Sequence, residues 1–254
     1  MSKLFSVEGK TALVTGGSSG IGLMIAKAFV EHGVITYIVS RSAQRCSEVA
    51  SELSSRGGQC YALAADISTN AGIEALVDQF TQQRASLDIL VNNAGAMYDA
   101  KLEEFSEEGW DQTLDLNLKS VFFLTQKLLP QLRVNASNTN HSSVINIGSV
   151  GGLRVGPKEN YAYQAAKAGL HHLTGSLAVR LAAENITVNA IAPGFFPSRM
   201  TQIPDEIMPQ VLAKVPRGRL GGEEDMGGTA IYLASPAASF VTGAVIPLEG
   251  GMAL

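Results

Sequence analysis

Cysteine is almost missing. Cys46 and Cys60 are the only two in 254 residues. Two thiols make neither a disulfide framework nor a metal site by themselves, so both are expected as reduced side chains in or near a core. Positive charge is not in excess either. There are 19 Lys and Arg against 23 Asp and Glu, a formal net charge of -4. With no basic run, nucleic acid is not an expected partner. No apolar stretch approaches membrane-spanning length. The first ten residues are mixed and short of apolar side chains, so no secretory signal is expected. The Asn-x-Ser/Thr matches at Asn135, Asn140 and Asn185 are then coincidental. These absences point to a cytoplasmic protein. Its 46% hydrophobic and 17% charged residues suit one large core.

What is present alternates between two periods. Residues 11–14 are a short apolar run that reads as a buried strand. The run enters Thr15-Gly16-Gly17-Ser18-Ser19-Gly20-Ile21-Gly22, after which Ile21, Ile25, Ala28 and Phe29 recur at helical spacing up to Gly33. Strand, glycine-rich turn and helix form the layout of a nucleotide-phosphate cradle. Glycines let the backbone approach a pyrophosphate, and a helix N-terminus offers free N–H groups. A second strand, 35–39, ends in Ser40-Arg41-Ser42. Dinucleotide folds place an acidic residue there for the ribose 2′-OH. An arginine flanked by hydroxyls suits a 2′-phosphate instead.

Further units follow. Residues 43–55 read as a helix and 60–64 as a strand running to Asp66-Ile67. A helix then carries Ile73, Leu76, Val77 and Phe80 on one face. Strand 87–91 closes on Asn92-Asn93-Ala94-Gly95, where ligands bind in open parallel sheets. A long helix is expected over 114–132, with Asn117 near its start, and a polar exposed loop without chemistry over 134–143. Strand 144–147 ends at Gly148-Ser149, an alanine-rich helix spans 160–183, and strand 187–191 leads into Pro193-Gly194. Residues 203–222 lack regular periodicity and are the best candidate for a mobile lid within 195–222. A helix over 223–234 and a strand over 245–248 finish the chain. The expectation is a single doubly wound Rossmann-type α/β domain over 1–254. Its parallel sheet has about seven strands, with helices on both faces.

Tyr163 and Lys167 stand one turn apart on the long helix and so project from one face. An ammonium beside a phenol favours phenolate and is expected to lower a pKa otherwise near about 10. Such a tyrosine gives or takes a proton near neutral pH.

The glycine loop, Asp66, Asn92-Asn93-Ala94-Gly95, Asn117, Ser149, Tyr163 with Lys167, and Pro193-Gly194 together resemble the short-chain dehydrogenase/reductases over the whole chain. Within that family the chain is most similar to NADPH-dependent β-ketoacyl reductases of the rhamnolipid-pathway type. Residues 144–149 and Pro193-Gly194-Phe195-Phe196-Pro197-Ser198-Arg199-Met200-Thr201 carry that likeness. Three positions depart from the pattern. Ser19 stands where many NADPH-preferring members carry a basic residue, the interval from Ser149 to Tyr163 is one residue wider than usual, and Glu249 replaces a frequent Asp.

The resemblance implies hydride exchange between NADP(H) and a small carbonyl substrate, without a metal. Tyr163 would be the proton donor, and Ser149 would hydrogen-bond the carbonyl oxygen. Lys167 would hold the nicotinamide ribose, and Asn117 a water relaying protons to Lys167. Gly16, Ser18, Ser19, Gly20 and Ile21 would line the pyrophosphate side. Arg41 and Ser42 would meet the 2′-phosphate, and Asp66 and Ile67 the adenine. Asn93, Ala94, Gly95, Pro193, Gly194 and Phe196 would surround the nicotinamide half, with Ser198 near the phosphates or the carboxamide. An alcohol, polyol or steroid dehydrogenase working oxidatively, and a nucleotide-binding regulator with little turnover, are the alternatives. The helices over 114–132 and 161–183 are apolar on more than one face, so a homodimer or homotetramer is expected.

Overall fold

The computed structural model describes residues 3–198 and 203–254. Arg199, Met200 and Thr201 of the resemblance, with Gln202 of the expected lid, lie outside the described residues. Seven strands form one parallel sheet in the order β3-β2-β1-β4-β5-β6-β7. They are β1 (Thr11–Thr15), β2 (Ile35–Ser40), β3 (Cys60–Ala64), β4 (Ile89–Asn92), β5 (Ser142–Ile147), β6 (Ile186–Pro193) and β7 (Val245–Leu248). The main helices are α1 (Gly20–Glu31), α2 (Ala43–Ser54), α3 (Asn70–Thr81), α4 (Glu107–Leu114), α5 (Ser120–Val134), α6 (Tyr161–Leu181), α7 (Met208–Leu212) and α8 (Glu223–Ala234). Among the described residues, no helix is long and apolar enough to cross a membrane.

The central strands are continuous apolar runs because both sheet faces are covered. Successive residues of a strand point to opposite faces. Val14 therefore packs with Ile25 and Phe29 of α1 and Met226 of α8, while its neighbour Leu13 packs with Leu76 and Phe80 of α3 and Leu124 of α5. Both Cys46 and Cys60 are free and buried.

Strand order reverses on either side of β1, where Val14 pairs with Ile38 of β2 and Val91 of β4. Ligands bind beyond such a switch point, at the strand carboxyl ends. Thr15 stitches it shut. Its hydroxyl donates to the Val91 carbonyl at 3.2 Å and accepts from the Asn93 and Ala94 amides at 2.9 and 3.0 Å. The Asn93 side chain returns a bond to the Thr15 carbonyl at 2.7 Å.

Three expectations need correction. The helix expected over 114–132 is two helices, α4 and α5, joined by a π-helical turn over Asp115–Lys119 with Asn117 fully buried in it. Continuous apolar periodicity hid the extra residue per turn. The segment 203–222 is not irregular throughout: Asp205–Ile207 is a 3₁₀ turn that runs into α7. The segment 134–143 is not merely an exposed loop, since β5 begins at Ser142 and His141 is 7% exposed. Asn135 donates to Asp88 at 3.1 Å, Asp88 accepts from the Thr11 amide at 2.8 Å, and Lys10 donates to the His141 carbonyl at 3.1 Å. Polar side chains serve as ties at the end of the sheet opposite the switch point, so hydropathy could not reveal them.

Burial of His141, reinforced by the Lys10 charge, pushes the imidazole down to about 4, against a weaker pull upward from the Leu233 carbonyl. An unfolded histidine titrates near about 6.5, so acidification below that value protonates the unfolded chain first. Stability should fall as pH drops from about 6.5 toward 4, with His141 accounting for about 3 kcal/mol. Urea melts across that range measure it, and His141→Asn should flatten this part of the profile.

Candidate active site

The glycine spacing 16, 20, 22 follows from close backbone approach. Gly16 and Gly20 have φ of 67° and 54°, which side chains rarely adopt. A Cβ on Gly22 would stand 2.4 Å from both the Gly16 carbonyl oxygen and the side-chain Nδ2 of Asn93. Ser19 precedes α1 in extended conformation and makes no capping bond with its side chain. The first-turn N–H groups of α1 therefore remain donors, and with the loop they fit an anionic pyrophosphate.

Two clefts open from this loop. One, of about 190 Å³, is lined by Gly16, Ser19, Gly20 and Ile21, by Asn93, Ala94 and Gly95, by Asn117, Ser149, Tyr163 and Lys167, and by Pro193, Gly194, Phe196 and Ser198. The other, of about 480 Å³, shares Gly16, Ser19, Ala94 and Gly95 and adds Ser18, Arg41, Ser42, Asp66 and Ile67. The structure thus brings every predicted site residue to one or both clefts. It also adds residues not foreseen: Arg45 and Leu116 in the larger cleft, Ile147 and Gly148 in the smaller. Arg45 was legible only as a helix-surface cation, and it lies 3.8 Å from Glu48. Asp66 accepts from the Ser68 amide and hydroxyl, which with Arg41 hold its carboxyl below the usual range.

A third cleft of about 380 Å³ meets the first at Ser149, Tyr163 and Gly194. Its wall is mostly apolar, including Met97, Val150, Phe195, Ile207, Val211 and Met252.

Buried polar rungs hold α6 in place. Asn92 donates to Asn146 at 2.9 Å, and Asn146 donates to Thr174 of α6 at 2.9 Å. Lys167 is 4% exposed and donates to the Ile147 carbonyl at 2.7 Å. Its burial brings the ammonium pKa down to about 8. The ammonium lies 5.6 Å from the Tyr163 ring centroid. Burial of Tyr163 pushes its phenol above the ordinary value, while the adjacent Ser149 hydroxyl pulls it back. The lowering expected from Lys167 is therefore corrected for the free protein: desolvation raises the phenol, and Lys167, brought down to about 8 and directed to the strand-end carbonyl, has lost its charge before the phenol ionises. Ser149 itself is oriented by the Gly151 amide, which donates to its Oγ at 3.0 Å. Asn117 donates to the carbonyls of Ala96 and Thr113 at 2.7 and 2.8 Å, leaving a buried Oδ1 without a partner.

A family model described as Enoyl-(Acyl carrier protein) reductase matches residues 16–253. The chain belongs to the short-chain dehydrogenase/reductase family. It is 47% identical to the rhamnolipids biosynthesis 3-oxoacyl-[acyl-carrier-protein] reductase of Pseudomonas aeruginosa, covering 100% of both chains. It is 39% identical to the 3-oxoacyl-[acyl-carrier-protein] reductase FabG of Staphylococcus aureus, covering 96% of this chain and 98% of that protein. The solved Pseudomonas aeruginosa RhlG/NADP active-site complex superposes with a TM-score of 0.96 at 46% identity, covering 100% of each chain.

In this short-chain dehydrogenase/reductase, sequence reasoning missed His171, one turn beyond Lys167. Its ring is wedged against the two glycines that flank the Ser149 loop. A Cβ on Gly148 would stand 2.1 Å from His171 Nε2, and one on Gly152 would stand 2.8 Å from Cε1. His171 Nε2 accepts from the Ser149 amide at 3.4 Å, which places the acceptor directly behind the serine backbone. A Leu-His-His-Leu run in an apolar helix gave no signal that one histidine faces a strand end. His171→Leu should lower kcat about 10-fold while leaving cofactor affinity unchanged, and His171→Gln, which keeps an acceptor, should retain most of the rate. Steady-state kinetics with a cofactor-binding titration for each variant checks this.

Proposed function

We propose that this protein is an NADP(H)-dependent reductase of 3-oxoacyl thioesters, converting the ketone to a secondary alcohol. The observation that carries this reading is the position of Ser149 and Tyr163, which line both the polar cleft and the apolar one. A cofactor in the first cleft and an acyl ketone in the third would meet at these two hydroxyls. Bound NADPH supplies the hydride to the carbonyl carbon and leaves as NADP⁺. Ser149 donates a hydrogen bond to the carbonyl oxygen and stabilises the charge that develops there. Tyr163 Oη gives its proton to that oxygen, completing the alcohol. Lys167, held near pKa 8, stays largely protonated at neutral pH and can hold ribose hydroxyls and assist reprotonation of the phenol.

The glycine loop with Ser18, Ser19, Gly20 and Ile21 would cradle the pyrophosphate. Arg41, Ser42 and Arg45 would meet a 2′-phosphate, and Asp66 and Ile67 the adenine. Asn93 and Ala94 with Gly95, and Pro193 with Gly194, Phe196 and Ser198, would enclose the nicotinamide half. The free Oδ1 of Asn117 suits a water on the path from Lys167. Residues 203–214 form one wall of the apolar cleft and would serve as the lid. That apolar wall favours an acyl ketone over a polyol. A paired Ser149 and Tyr163 would serve no purpose in a protein that only binds nucleotide.

Exposed apolar side chains on the α5 and α6 surfaces, Val134 at 58% and Val179 at 84%, support a homodimer or homotetramer.

Tyr163→Phe keeps the ring but loses the proton. NADPH binding, followed by fluorescence, should survive, and single-turnover reduction should fall by roughly 10²–10⁴-fold. Turnover within a few-fold of wild type would refute the assignment. Arg41→Asp should shift the kcat/KM preference from NADPH toward NADH by replacing attraction to the 2′-phosphate with repulsion. Comparison of both cofactors in wild type and variant measures it.

A further inference from the structure

The segment between the 3₁₀ turn Val150–Gly152 and α6 forms one side of the apolar cleft, through Gly156, Pro157, Lys158 and Asn160. It has little backbone structure of its own. Among the described residues, the Glu159 carbonyl accepts from the Ala100 amide at 3.2 Å, and the other bonds to backbone groups of 155–159 come from one side chain, that of Gln164. Gln164 Oε1 accepts from the Gly156 amide at 3.3 Å, and Nε2 donates to the Lys158 carbonyl at 3.0 Å. A backbone N–H can only donate and a carbonyl only accept, so these partners fix which way the Gln164 amide points. Nε2 also donates to Asn160 Oδ1 at 2.7 Å, which turns Asn160 Nδ2 toward Met97 Sδ at 3.2 Å. Asn160 precedes α6 and would ordinarily cap its first turn, yet its side chain makes no capping bond. It is committed instead to the tie between Gln164 and Met97, another residue of the cleft wall. Tyr163 lines both clefts, whereas Gln164 lines the apolar one and not the polar one.

We infer that Gln164 is a positioning residue that holds this wall against the tail of the substrate, and so sets a preference for ketones with long apolar tails without acting in hydride or proton transfer. This rests on the reductase reading above. Tyr163 serves the reacting oxygen, and the next residue grips the loop along which the tail lies. One planar amide joins Gly156, Lys158 and, through Asn160, Met97 into a single unit. Without it the Gly156 amide and the Lys158 carbonyl turn to water, and Asn160 is released to cap α6. The wall of Gly156, Pro157 and Met97 then no longer packs on the tail. A short ketone touches little of that wall and loses little when it loosens.

The test compares the 3-oxobutanoyl and 3-oxooctanoyl thioesters of N-acetylcysteamine, which differ only in the length of the acyl tail. Steady-state kinetics with NADPH are measured for wild type and for Gln164→Met, which keeps the length of the side chain and loses its hydrogen bonds. Wild type should favour the long tail. Gln164→Met should lower the ratio of kcat/KM, long over short, about 10-fold, through KM for the long thioester and not through kcat. NADPH affinity, titrated by fluorescence, should stay within about 2-fold of wild type. Asn160→Ala removes the Met97 end of the tie and no capping bond. It should lower the same ratio about 3-fold, and it decides the matter if Gln164→Met does not fold. A merely structural role would lower both thioesters alike. A ratio that is unchanged, that moves toward the long tail, or that falls through kcat overturns the inference. If wild type reduces both thioesters with equal kcat/KM, the tail gains nothing from the wall and only this inference falls. If wild type reduces neither, the reductase reading falls and this inference with it.

Discussion

The bond from the buried Lys167 ammonium to the Ile147 carbonyl, at 2.7 Å, fixes the rest of the site. It joins α6 to the carboxyl end of β5, two residues before Ser149. A cation inside a protein is costly unless it is hydrogen-bonded. Here the carbonyl at the strand end meets part of that cost, and the remainder appears as a pKa brought down to about 8. Tyr163, one turn earlier on the same helix, is thereby set beside Ser149. The polar rungs through Asn92, Asn146 and Thr174 hold the same helix to the sheet farther in. Rigid scaffold elements, not loops, carry the reacting hydroxyl and the ammonium, which suits chemistry that depends on alignment.

The other half of the site depends on a different constraint, the tight packing around the switch point. Thr15, Gly16, Gly22 and Asn93 occupy so little space together that a single added Cβ would collide with a neighbour. That compactness leaves the first N–H groups of α1 at the cleft floor and brings the Arg41 strand end alongside. A dinucleotide-shaped groove and an acyl-shaped groove then share one short boundary, at Ser149, Tyr163 and Gly194.

Much of this was legible in the residues alone. The central strands were short, largely apolar runs because they are buried on both faces, and the glycine loop and the Tyr163–Lys167 spacing are local patterns. Features set by distant contacts were not legible. The π turn at Asn117 preserves apolar periodicity while adding a residue. His141 looks like loop polarity, yet it is buried against the opposite end of the sheet. His171 sits in an ordinary helical run, and only the fold places it behind Ser149. The direction of the Tyr163 pKa was misjudged for the same reason: spacing shows that an ammonium is near, but not that it is desolvated and turned toward a carbonyl.

The central claim is that burial, not the neighbouring cation, governs the acidity of Tyr163 in the free protein. The direct measurement is an NMR titration of the protein carrying ¹³Cζ-tyrosine, with Tyr163→Phe assigning the resonance. The account predicts that the Tyr163 phenol titrates above its ordinary value of about 10. A Tyr163 that ionises clearly below that value without cofactor would contradict it.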